Sequence, residues 1–147
     1  MTVEDRLTNN RTVMKKRDKI KAKYGGRCGY CGNILQDDWQ VDHKTSRQYW
    51  PYSESSGTVN DEDNLIPACR QCNHYKREKM VESSGHHVGY RDYMLKFHIR
   101  LGKLPKKTQV ERTKRRIEYM WCIANKYGIT PDKPFNGVFW MDQYKTE

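Results

Sequence analysis

This chain of 147 residues has no apolar run approaching the roughly 20 residues that span a bilayer. Its opening, Met1-Thr2-Val3-Glu4-Asp5-Arg6, lacks the apolar stretch of a secretory signal, so a soluble intracellular protein is expected. Apolar residues are scarce, at 35% of the chain with a mean hydropathy of -1.08. A chain of this kind buries a small core for its length, and a metal staple is a common remedy. Low-complexity tracts are missing too, and there is no repeat beyond one paired cysteine motif. What remains is one compact domain, or a small core with arms.

Cysteine is sparse but ordered. Four of the five fall in two CxxC knuckles, Cys28-Gly-Tyr-Cys31 and Cys69-Arg-Gln-Cys72. In a reducing compartment this spacing favours zinc ligands over disulfides. Each knuckle turns back and presents two sulfurs, so Cys28, Cys31, Cys69 and Cys72 can hold one tetrahedral Zn²⁺. Such a site is closed and should do no hydrolysis itself. A simple ribbon separates its knuckles by about 15–20 residues. Here 37 residues lie between Cys31 and Cys69, so the clamp encloses a further element. The fifth cysteine, Cys122, is expected as a small buried hydrophobe on a C-terminal helix.

The net charge of +10 points to a polyanionic partner. Residues 1–27 carry a net +6, residues 28–81 a net −2 and residues 82–147 a net +6. An acidic centre between basic flanks suits a cation site that faces phosphate. The chain divides accordingly into a basic N-terminal helical arm (1–24), a central core (25–81) and a basic, mainly helical C-terminal extension (82–147).

Residues 3–24 carry the weak apolar periodicity of a helix, stopped by Gly25-Gly26. Trp39 to His43 alternates like a short strand. Lys44 to Asp63 is a long polar loop holding Tyr49-Trp50-Pro51-Tyr52, a cluster that could stack on bases or pack on the core. Asn64 to Ala68 leads into the second knuckle, and Asn73 to Val81 has a helical composition. A helix over 87–101 follows. Thr108-Gln-Val-Glu111 then reads as a reciprocal capping box, opening a helix that buries Ile117, Met120, Trp121 and Ala124 and stops at Gly128. Asn136-Gly137 is a hairpin signal. His86, His87 and His98 read as surface or packing residues.

Between the knuckles stand residues suited to phosphodiester hydrolysis. His43 offers an imidazole, a side-chain type suited to deprotonating water. Asp42 and Asn73 offer the oxygens that a hard cation such as Mg²⁺ or Mn²⁺ prefers. Adjacent strand residues point to opposite faces, so Asp42 and His43 can share a site only where the strand ends or bends.

The string Tyr24-Gly-Gly-Arg-Cys28-Gly-Tyr-Cys31-Gly, then Val41-Asp42-His43, then Asp63-Asn64-Leu65-Ile66-Pro67-Ala68-Cys69-Arg-Gln-Cys72-Asn73-His74-Tyr75-Lys76 resembles the HNH nuclease family. The resemblance covers about residues 20–80. It implies an α+β fold, a ββα-metal core stapled by the four-cysteine zinc site. By the resemblance His43 is the general base and Asn64 braces the loop that bears it. Asn73 takes the third position, an H-N-N departure. The Asp42–Asn73 pair is similar to the metal pair of phage recombination endonuclease VII, which favours Mg²⁺ or Mn²⁺ over a catalytic zinc.

The implied activity is hydrolysis of DNA, expected to be double-stranded, to 5′-phosphate and 3′-hydroxyl ends by a cytoplasmic bacterial or phage-encoded enzyme. One active site cuts one strand, so a double-strand cut needs a homodimer or two successive nicks. Lys76, Arg77, Arg112, Lys114, Arg115 and Arg116 are the expected phosphate contacts. The rival reading is a non-catalytic zinc-stabilised module that binds nucleic acid.

Overall fold

The computed structural model describes residues 16–53 and 57–145. Residues 3–15 of the expected N-terminal helix lie outside the described residues. Its described part, 16–22 (α1), ends where Gly25 and Gly26 take φ of +73° and +76°. Strands β1 (Gln40–His43) and β2 (Leu65–Ala68) pair antiparallel, Asp42 opposite Ile66 and His43 opposite Leu65. Helix α2 (Arg70–Lys76) packs on β1. Helices α3 (Tyr90–Leu95), α4 (Phe97–Gly102), α5 (Glu111–Tyr127) and α6 (Trp140–Gln143) follow. The result is a mixed fold, a two-stranded sheet with a helix beside four clustered cysteines, consistent with a ββα-metal core.

The first knuckle sits directly on β2. The Gly29 N–H donates to the Pro67 carbonyl at 2.8 Å, and a Cβ on Gly29 would stand 2.6 Å from Ile66 Cγ2. Only glycine allows that approach. Pro67 has no N–H to give a ladder, which costs little in a two-stranded sheet.

The second knuckle starts its own helix. Cys69 is the N-cap of α2, its sulfur accepting from the Cys72 N–H at 3.4 Å. Helix α2 therefore begins at Arg70 rather than at Asn73. It also stops earlier than Val81, because Arg77 turns the chain at φ +56° and Val81 is drawn back to the Lys44 carbonyl at 3.0 Å. The expected helix over 87–101 is two short ones broken at Lys96.

Helix α5 departs from expectation at its start and on its buried face. Thr108 Oγ1 accepts from Val110 N–H, Val110 is the N-cap, and the reciprocal capping box is not made. The buried face is Met120, Ile123 and Ala124, while Trp121 is 38% exposed. Cys122 is exposed as well, its sulfur 3.4 Å from Gln71 Oε1, so it is no core residue. Met120 and Ala124 are buried as expected, and the face turns from Trp121 towards Ile123 because Ile123 and Tyr127 meet the core. Gly128 stops the helix at φ +67° as expected.

The tail makes no hairpin. Asn136 Oδ1 accepts from the Val138 N–H at 2.9 Å, and α6 follows. The first N–H groups of α6 then reach the first knuckle, Trp140 to Tyr30 O at 3.1 Å and Met141 to Gly29 O at 2.8 Å. Phe139 stacks on Tyr90 at 5.5 Å and meets the Tyr30 ring edge-on at 5.2 Å, all three fully buried. One hydrophobic cluster thus runs from Cys28 and Ile66 to Ile123 and Phe135. Contacts of this kind exceed plain area burial by about 0.5–1.5 kcal/mol per pair. They explain how so polar a chain closes a core.

Candidate active site and metal centre

The ligand atoms of Cys28, Cys31, Cys69 and Cys72 all lie within 4.8 Å of one another, with Cys31 Sγ and Cys69 Sγ 3.9 Å apart. Sulfurs 2.3 Å from a tetrahedral Zn²⁺ stand about 3.8 Å from each other, so the four residues fit the ion. Thiols this close do not ionise independently. Hydrogen bonds from Cys28, Cys31 and Cys72 hold the Cys69 thiol far below its ordinary range, and contacts with Cys28 and Cys69 push Cys31 far above its own. Among the described residues this is the one cluster of three or more His, Cys, Asp or Glu side chains tight enough for a metal.

The Asp42–His43 pair stands where β1 ends. Asp42 is buried, 7% exposed, and its Oδ2 accepts from the Tyr30 hydroxyl and lies 3.0 Å from Lys76 Nζ. Burial raises the Tyr30 hydroxyl well above its ordinary value, and the Asp42 charge adds to this, so the tyrosine is the donor. Lys76 is fully buried, and its ammonium also donates to the His43 carbonyl at 3.1 Å. This corrects the expectation that Lys76 contacts phosphate: its charge is spent inside the protein. Desolvation lowers its pKa and Asp42 partly restores it.

His43 emerges on the other face. Its Nε2 is 3.0 Å from Asn60 Oδ1. Since an amide oxygen only accepts, Nε2 carries the proton in this arrangement and the Nδ1 lone pair is left for a base. Asn64, 7% exposed, ties the following loop at three points. Its Nδ2 donates to Thr45 O at 3.0 Å and Val59 O at 2.8 Å, and its Oδ1 accepts from Thr45 N–H at 2.9 Å. The backbone on both sides of His43 is therefore fixed, by Lys76 before Lys44 and by Asn64 after it.

Asn73 lies on the α2 face that runs along β1, one turn before Lys76. Its Nδ2 donates to Gln40 Oε1 at 2.6 Å, at the mouth of a shallow hollow that Arg70, His74, Arg77 and Glu78 also line. Asn73 and Asp42 thus flank the contact between α2 and β1, each with its own partners. These bonds fall on Asp42 Oδ2 and Asn73 Nδ2, so among the described residues Oδ1 of each stays available. One carboxylate and one amide oxygen suit a hard cation in chemical kind.

Among the remaining phosphate candidates, Arg77, Arg112, Lys114, Arg115 and Arg116 sit at the surface of α2 and α5. Tyr49 packs against His87, ring centroids 4.4 Å apart, which favours the packing reading for that residue. Sequence reasoning missed Tyr30, Gln40, Asn60, Lys126 and Tyr127. Each acts through a contact made across at least 12 residues, which no local pattern encodes.

Residues 28–79 match the HNH endonuclease family. The matched segment holds both knuckles, Asp42, His43, Asn64 and Asn73. Among solved structures, the Type II-C Cas9 enzyme from Actinomyces naeslundii is 19% identical over 97% of this chain, with a TM-score of 0.37. This chain spans 14% of that protein's length, a likeness too remote to bear on function. No curated protein matches the sequence. Among the described residues, no helix is long and apolar enough to cross a membrane.

Proposed function

We propose that this chain is a metal-dependent HNH endonuclease that hydrolyses DNA phosphodiester bonds to 5′-phosphate and 3′-hydroxyl ends. The observation that carries the reading is His43, half-buried at the end of β1, with its backbone pinned by Lys76 and by the Asn64-braced loop. Asn60 orients the ring through Nε2, and Nδ1 takes the proton from water. Asp42 and Asn73 would hold a divalent cation, Mg²⁺ or Mn²⁺, which would supply charge neutralisation for the hydrolysis. Lys76 and Tyr30 hold the Asp42 carboxylate in place.

The substrate is double-stranded DNA lying over the central core (25–81). Arg77 contacts phosphate beside Asn73, and Arg112, Lys114, Arg115 and Arg116 of the C-terminal extension (82–147) follow the backbone, together with the N-terminal arm (1–24). The enzyme works in the cytoplasm, and a double-strand cut takes a homodimer or two nicks. Restriction, homing and junction-resolving enzymes can all be built on such a core.

Supercoiled, linear and four-way-junction DNA, each incubated with zinc-loaded protein and Mg²⁺, separate these roles. The expected products are nicks that a ligase reseals, which requires 5′-phosphate and 3′-hydroxyl ends. Protein that shifts these DNAs yet cuts none of them with Mg²⁺ or Mn²⁺ would instead establish a non-catalytic zinc module.

A further inference from the structure

The zinc clamp has two contacts that the matched HNH segment does not supply. Both come from the last turn of α5, more than 50 residues beyond the second knuckle. Lys126 Nζ lies 3.2 Å from Cys69 Sγ, and the Tyr127 hydroxyl donates to Cys72 Sγ at 3.1 Å. Gly128 ends the helix immediately afterwards, and the Ile129 N–H turns back to the Ala124 carbonyl at 2.9 Å, which fixes this turn against the cysteines. Tyr127 is itself oriented, its oxygen 2.8 Å from the Tyr90 hydroxyl and its ring edge-on to Phe135.

Four thiolates around Zn²⁺ leave a formal charge of −2 in a largely buried site. Buried charge is costly unless it is paired or hydrogen-bonded. An ammonium on one sulfur and a phenol on another answer that cost on the second-knuckle half. We propose that Lys126 and Tyr127 complete the zinc centre as outer partners of Cys69 and Cys72, so that retention of the ion depends on docking of the C-terminal helix. The same helix carries Arg112, Lys114, Arg115 and Arg116 in its first half. Zinc occupancy therefore also fixes where that basic surface stands relative to the core. The inference rests on the fit of the cysteines to zinc and is independent of the nuclease reading.

The test uses the full chain loaded with zinc, in wild type and in Lys126→Met, Lys126→Arg and Tyr127→Phe. Competition with a chromophoric chelator should show zinc affinity falling about tenfold or more in Lys126→Met and in Tyr127→Phe. Lys126→Arg, which keeps a charged donor, should recover most of the loss. With Co²⁺ in place of zinc, the sulfur-to-metal charge-transfer band should move to lower energy in both weakened variants, because a thiolate without its hydrogen bond gives up charge more readily. A purely structural role would not move that band in a protein of native helicity. Tyr127→Phe removes a single oxygen atom and decides the matter should Lys126→Met fail to fold. Zinc affinity within about twofold of wild type, against the tenfold expected, and an unchanged cobalt spectrum in folded Tyr127→Phe would overturn the proposal.

Discussion

The four-cysteine clamp and the candidate hydrolytic residues occupy the same segment of chain, 28–79, but are organised differently. Four sulfurs converge within 4.8 Å before any ion is considered. Asp42, His43 and Asn73 are each engaged by a different partner: one is paired with Lys76, one faces Asn60, and one holds Gln40. The difference follows from how each set is placed. A CxxC knuckle is a local turn, and two of them need only be brought together once, by the β1–β2 pairing. The candidate hydrolytic residues come from a strand end and a helix face, where alternation of side chains along the strand sends neighbours to opposite faces. The clamp assembles by local rules, and the candidate active site by long-range ones.

The largest expected effect lies on the clamp side. Cys28→Ser removes a ligand from a site whose zinc supplies folding free energy of about 10–16 kcal/mol in comparable small modules, as much as whole-domain stability. The variant should bind no stoichiometric zinc and show no cooperative thermal transition. A cooperative melt near that of wild type would mean the aromatic core folds without the clamp.

On the other side, Lys76→Ala should cost about 3–5 kcal/mol by leaving the Asp42 carboxylate buried and unpaired, with zinc content unchanged. Denaturant unfolding measures this. A change below about 0.5 kcal/mol, as for an ordinary surface substitution, would return Lys76 to the surface role that composition suggests.

The smallest effect concerns the tail that docks on the first knuckle. Burial pushes the Asp142 carboxyl up, but the Arg91 guanidinium and the Phe139 N–H outweigh it and hold the group below its ordinary value. A depressed acid contributes stability that is present above the usual carboxylate range, near about pH 4, and lost as pH falls through the folded value. Asp142→Asn should therefore flatten the acid side of the melting curve and cost under about 1 kcal/mol at neutral pH, since the pair is open to solvent. An unchanged acid limb would contradict the assignment.

What the sequence disclosed follows the same division. The knuckles, β1 and the Gly128 stop were legible because each depends on a few adjacent residues. The role of Asn64 was legible only through resemblance. Lys76 was not, because a lysine in a polar helix looks solvent-facing until a buried aspartate is placed beside it. Trp121 and Cys122 were misplaced because a helix face is fixed only by what packs on it, and a shift of one residue turns it by about 100°. The tail was unreadable for a related reason: Asn136-Gly137 favours a hairpin locally, while Phe139 and Trp140 gain more by docking on Tyr90 and the first knuckle.

The separation of clamp from chemistry is tested most directly by one paired measurement on His43→Ala: nicking of supercoiled plasmid with Mg²⁺, and zinc content of the same sample. The account predicts one zinc per chain, a melting temperature close to that of wild type, and no nicking above background. Nicking at the wild-type rate would contradict it by removing His43 from the chemistry. Loss of zinc together with activity would contradict it equally, by making the two centres one.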